Sequence, residues 1–175
     1  MHDRIDFHLT LLPLRAVYER LSKRRSNPDA TTGGRRGCSL IHRKTPPRCS
    51  ELDRNALVEA HKALPASAEI VAIMPDRQKF VADLKRQSKV PFPILIDANS
   101  GYAMSLNLTI WVGAEIQKMM EGRPLDPPTF QGNGSWMLPI PATFVVSQDG
   151  LIRARFIDPD YRNRMMISDM LAAML

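Results

Sequence analysis

From about residue 50 onward, apolar positions alternate between a helical spacing and short unbroken runs. SELDRNALVEAHKAL, residues 50–64, puts Leu52, Ala56, Ala60 and Ala63/Leu64 on one stripe, the spacing of an amphipathic helix. Ser50 and Asp53 make an S-x-x-D capping box at its start, and Pro65 ends it. AEIVAIMP, residues 68–75, is short, apolar and β-branched, as a buried strand would be. A second amphipathic helix is predicted over 76–89 through Phe80, Val81 and Leu84, and a second buried strand, FPILID, over 92–97. NSGYAMSLNL, residues 99–108, predicts a short helix opening on Asn99 and Ser100, with Asp97 at the strand end as a further cap. Residues 109–135 hold a helical turn or two in GAEIQKMM and then a Pro/Gly-rich loop. ATFVVS and LIRARFI predict two strands joined at Gln148-Asp149-Gly150, since Asp-Gly favours the tight turn of a hairpin. A last helix is predicted over 162–174.

The rhythm is weaker before residue 50. Residues 1–25 predict a helix with Leu14, Val17, Tyr18 and Leu21 on one face, and SNPDATTGGRRG is turn and loop chemistry. CSLIHRKTPPR allows at most a three- or four-residue strand around Leu40 and Ile41, before Pro46-Pro47 interrupts regular structure. The expected division is a basic, irregular or partly helical segment over 1–48 and one domain over 49–175. The order helix, strand, helix, strand, helix, insert, strand, strand, helix predicts an α/β fold. Its sheet is a parallel βαβ core with an antiparallel hairpin at one side, and the insert falls at about 109–135.

Charge refines this division. Residues 1–50 carry 11 Lys/Arg and 4 Asp/Glu, a net of +7; the rest carries 13 and 14, a net of −1. A basic arm can bind nucleic acid, but no aromatic residue interleaves with the basic ones from Arg20 to Arg48, so no stacking platform is expected and nucleic acid is not the favoured partner. A solvated tail is the plainer reading. No apolar stretch approaches the ~18–20 residues of a membrane span. Asp3 and Asp6 precede the apolar patch Leu9–Leu14 where an export signal would be basic. Two cysteines, Cys38 and Cys49, make no disulfide framework, so reduced thiols in the cytoplasm are expected. His2, His8, His42 and His61 do not join them at zinc-site spacing, and no metal is expected.

The stretch SWMLPIPATFVVSQDGLIR enters its hairpin through Leu-Pro-Ile-Pro. With the order of elements, it resembles the thioredoxin fold, a βαβ unit followed by a proline-led ββα unit with α/β/α layers. The resemblance implies a cis-proline at Pro141 beside the active-site thiol. PFPILIDANSGYAMSLNL, and FQGNGSWMLPIPATFVVSQDGLIRARFIDPDYRNR with its Trp and its Pro-Ala-Thr-Phe, resemble segments of peroxiredoxin-like proteins of the alkyl hydroperoxide reductase / thiol-specific antioxidant family, over about residues 56–165. The family's Cys-x-x-Cys is missing: Cys38 and Cys49 are eleven apart, in GGRRGCSLIHRKTPPRC. Cys49 falls near the position of the family's second cysteine.

The resemblance implies a thiol-dependent peroxidase or thiol–disulfide oxidoreductase, without metal or organic cofactor. Its substrates would be a small peroxide and a thiol reductant of thioredoxin or glutathione type, with a homodimer as an open arrangement. Cys49, beside Ser50 at a predicted helix N-terminus, is the candidate catalytic thiol, because the helix dipole and free N–H groups lower a thiol pKa. Arg48, Arg54, Arg153 and Arg155 are nearby cations in sequence or on the hairpin. Cys38 is the candidate resolving thiol. Pro141, Thr143 and Trp136 would shape the pocket. The plainer readings are an ordinary thiol at a loop–helix junction for Cys49, core packing for Trp136 and a solvated His61. Met165, Met166, Met170 and Met174 fit a dimer surface or sheet packing equally. The alternative function is a catalytically inactive thioredoxin-fold binding or interaction protein.

Overall fold

In the computed structural model, residues 36–41, 47–123 and 126–174 are described, with side chains from residue 55 onward. The first half runs β1 (Arg36–Ile41), α1 (Pro47–Lys62), β2 (Ala68–Met74), α2 (Gln78–Ser88) and β3 (Ile94–Ile96). A 3-10 turn (Ala98–Ser100), α3 (Gly101–Ser105), β4 (Thr109–Trp111), α4 (Ala114–Met120), α5 (Pro127–Gln131) and β5 (Met137–Pro139) follow. β6 (Ala142–Val146), β7 (Ile152–Ile157) and α6 (Ile167–Ala172) close the chain.

Five strands form one sheet in the order β3-β2-β1-β6-β7. β1, β2 and β3 are mutually parallel, while β6 is antiparallel to β1 and β7 to β6. This is the expected mixed sheet, βαβ and then ββα. Alternation along its strands feeds two cores, because successive side chains leave a strand on opposite faces. Ile70, Ala72 and Val145 enter one core with Ala60 of α1 and Met170 of α6; Ile73, Phe144 and Val146 enter the other with Ala103 of α3, Leu106 and Leu108. Ile70 is fully buried, and a side chain of its kind contributes about 1.5–3 kcal/mol when taken out of water. The insert builds its own two-stranded sheet, β4 against β5.

Several expectations are corrected. β1 spans six residues instead of three or four, and it lies N-terminal to the division expected at residue 48, between β2 and β6. Pairing with β2 from Arg36 and with β6 from Gly37 holds Arg-Gly-Cys-Ser extended despite its poor strand composition, since neighbouring strands outweigh local preference. α1 begins at Pro47, so Ser50 is its fourth residue and not its cap. Proline suits the first helical position, where its missing N–H would have no helical partner. The helix expected over 99–108 is split, with Asn99 (φ 60°) and Ser100 (φ 54°) both left-handed. The Asp97 carboxylate caps α3 by accepting the N–H groups of Tyr102 (2.8 Å) and Ala103 (2.9 Å). The last helix covers only Ile167–Ala172. Ahead of it, Asp158 accepts the Asp160 N–H (2.8 Å) and Asp160 accepts the Arg162 N–H (3.1 Å), local side-chain bonds that compete with helix formation.

His61 is half-buried, its ring 6.0 Å from that of Phe92, and is not the solvated residue expected. Met170 and Met174 are core residues and Met165 packs on them, whereas Met166 is exposed. The helix expected through Leu14, Val17, Tyr18 and Leu21 lies outside the described residues. No helix among the described residues is long and apolar enough to cross a membrane.

Candidate functional site

The parallel strands β1, β2 and β3 end on one edge of the sheet, at Ile41, Met74 and Ile96. In open α/β sheets the crevice beyond the C-terminal strand ends is where ligands bind. Ile41 is opposite Ala142, so the start of β6 lies on this edge as well. From Ile41 the chain reaches α1, and Cys49 is the third residue of that helix, within its first turn. The backbone N–H groups of a first turn have no helical acceptor, and the dipole of this 16-residue helix is positive there. Both favour a thiolate.

Pro141 and Thr143 belong to the same edge. Pro141 is buried just ahead of β6 and its carbonyl accepts the Asp158 N–H at 3.4 Å. Among the described residues no peptide bond is cis, so the cis-proline expected at Pro141 is corrected to trans. The ring acts through its place between β5 and β6, where the preceding Ile140 donates its N–H to the Leu108 carbonyl (2.8 Å) and Pro141 has none to donate. Thr143 is buried and opposite Leu40 on one side and Phe156 on the other.

Other sequence candidates stand apart from this edge. Cys38, outside the short strand expected around Leu40 and Ile41, is in mid-strand opposite Ile70 and Val145. Three strand steps, about 10 Å, separate it from the β1 end. Trp136 is half-buried at the far end of β5, where its carbonyl accepts the Val112 N–H at 2.9 Å. Five chain steps separate it from Pro141, a reach of up to about 16 Å. Arg153 pairs with Asp149 (3.3 Å) at the hairpin turn, the opposite end of the sheet, and Arg155 is exposed opposite Phe144. At that turn Ser147 donates to the Asp149 carboxylate, a bond that, with the Leu151 N–H, holds the Asp149 carboxyl below its ordinary range. A concavity of about 470 Å³ lined by Val146, Ser147, Gln148, Asp149 and Arg153 also lies there. It is at the wrong end of β6 to serve Cys49.

The sequence reading passed over Asp76, which is 5 % exposed just beyond β2 on the C-terminal edge. Its signal is a Pro-Asp-Arg step after an apolar strand. Arg77 beside it donates to the Thr129 carbonyl (2.7 Å) and thereby ties the insert to this edge. Tyr102 is held protonated well above the ordinary phenol range, first by burial and then by the Asp97 charge. Among the described residues no group of three or more His, Cys, Asp or Glu could hold a metal ion.

Residues 43–155 match the sequence model of the AhpC/TSA family, which covers the chain from the approach to α1 into β7. No curated protein matches the sequence. Among solved structures, the Xanthomonas campestris bacterioferritin comigratory protein, described for its alkyl peroxide reduction activity, superposes with a TM-score of 0.53 at 18% identity, over 81% of this chain and 78% of that one. The peroxidoxin BcpB of Mycobacterium tuberculosis gives 0.52 at 16% identity, over 79% and 77%. A cysteine-to-serine mutant of the peroxiredoxin 6 of Arenicola marina gives 0.52 at 18% identity, over 80% and 60%. The fold is thioredoxin-like, and the chain belongs to the AhpC/TSA family.

Proposed function

We propose that this AhpC/TSA-family chain is a thiol-dependent peroxidase of the cytoplasm, contributing to redox homeostasis, with Cys49 as its reactive thiol. The observation that carries the reading is the place of Cys49, in the first turn of α1 at the sheet edge where Pro141 and Thr143 also lie. The Cys49 thiolate attacks one oxygen of a hydroperoxide. The O–O bond breaks, sulfur is oxidised to the sulfenic acid, and the leaving alkoxide or hydroxide takes up a proton. A reductant thiolate then displaces hydroxide, leaving as water, to form a mixed disulfide. A second thiol attacks that disulfide and releases the Cys49 thiolate.

The second thiol comes from a reductant of thioredoxin or glutathione type. Cys38 as resolving thiol is disfavoured by its position in mid-strand, because a disulfide needs Cα atoms within about 7 Å. The working unit is proposed to be a homodimer. No metal or organic cofactor enters this chemistry. The missing Cys-x-x-Cys favours a second reading, an inactive binding protein on the same fold.

Peroxide treatment with a sulfenic-acid trap and peptide mapping tests the first reading. A rapid adduct at Cys49, absent in Cys49→Ser, is the expected result. A folded protein with no adduct at Cys49 refutes it and leaves the binding protein.

A further inference from the structure

Four large apolar side chains are exposed within ten residues of the insert: Ile110 (44%), Trp111 (63%), Ile116 (54%) and Met119 (60%). α4 has no fully buried residue. It is fastened to the chain by Gln117, whose side-chain amide donates to the Val112 carbonyl (2.6 Å), and by the half-buried Met120. Ile116 and Met119, three apart, therefore make an apolar stripe along a helix that turns it outward.

We propose that α4 and β4 form a homodimer surface on which α4 packs antiparallel against α4 of a second copy. This deepens the homodimer named above, and the reasons are charge and symmetry. Glu115 and Lys118 are exposed beside the stripe, and neither makes an ion pair among the described residues. A two-fold axis near Gln117 reverses the helix, so Glu115 of each copy meets Lys118 of the other while Ile116 meets Met119. The stripe complements itself in both apolar shape and charge. An unrelated partner would have to supply an opposed pair of the same spacing, which a second copy brings by symmetry. Seven helical residues extend only about 10 Å, well short of a standard interface of about 800 Å² per partner. Even with Ile110 and Trp111 added, the dimer is weak and concentration-dependent.

Sedimentation velocity of the full chain, held reduced, across a concentration series tests this. The native chain is expected to pass from monomer to dimer, with Trp111 emission shifting blue as it leaves water. Ile116→Glu with Met119→Glu should keep the fold, because both side chains are exposed, and should abolish the dimer. Glu115→Lys alone and Lys118→Glu alone should each weaken association about tenfold through like-charge contact. The double reversal should restore it. A monomer at every concentration overturns the proposal, as does a dimer indifferent to all four changes or a double reversal no better than the singles. Sulfenic-acid trapping at Cys49 on the same preparations, freed of reductant, reads the peroxidase separately, so either proposal can fail without the other.

Discussion

Asp97 and Asp160 show how single carboxylates set the chain's course at this sheet edge. Asp97 leaves β3 and holds two N–H groups of α3, which fixes the helix directly after the double left-handed step at Asn99 and Ser100. Asp160 accepts from the Arg162 side chain at 2.7 Å and from its N–H, and these bonds pull its carboxyl down to about 2. A carboxyl depressed in the folded state adds stability above its unfolded pKa, about 4, and that contribution is lost as pH falls through the folded value. Carboxyl NMR should therefore find Asp160 titrating near 2 and moving up toward the ordinary range in Arg162→Ala. A native midpoint in the ordinary range would refute the pairing in solution. The Asp97 cap was legible from sequence, because an acid at a strand end just ahead of a helix can accept the free N–H groups of its first turn. Asp160 was not: a helix is predicted from residue 162, and only the folded chain decides which donors the Asp160 carboxylate takes.

Elements with a clear period were legible to within a few residues: β2, α2, β6 and β7 all fall where apolar spacing puts them. β1 escaped because a central strand usually reads as an apolar run, and Arg-Gly-Cys-Ser-Leu-Ile is held extended by neighbours that no local pattern announces. α1 was found but started late, since Pro47 was read as a breaker when it serves as the first helical residue. This put Cys49 within a turn of its place in α1 and left Cys38 outside the short strand expected around Leu40 and Ile41. The insert was legible only as an insert. Its attachment depends on Gly132, at φ 73°, where a Cβ would lie 2.2 Å from Cδ of Arg77. Gly132→Ala should cost about 1–2 kcal/mol in urea unfolding through strained backbone and displacement of Arg77 from Thr129. The loss should shrink in an Arg77→Ala background, because the two changes share that contact. Equal losses in both backgrounds would mean the close approach carries no energy.

For the whole molecule the governing fact is that β1 joins two halves. Without it, β3-β2 and β6-β7 have no strand in common. A fragment of residues 49–175 should accordingly lose cooperative thermal unfolding by circular dichroism, although it keeps every residue after the division that composition suggested. A fragment that melts as sharply as the full chain would show that β1 is dispensable. The same strand also governs how fast the chain can fold. Ile41 must find Ala142, 101 positions away (142 − 41), and Gly37 must find Val146, 109 away (146 − 37). The β6–β7 hairpin closes over a few residues, and β2 reaches β3 across one helix. Closing a loop of about a hundred residues costs entropy before its contacts repay it, and chains rich in distant contacts fold slowly. The halves can therefore form early, while the strand that leads to Cys49 is set in place late. During that interval the unpaired edges of β2 and β6 are open to pairing with other chains, and newly made protein passes through its most aggregation-prone state before its central strand is in place.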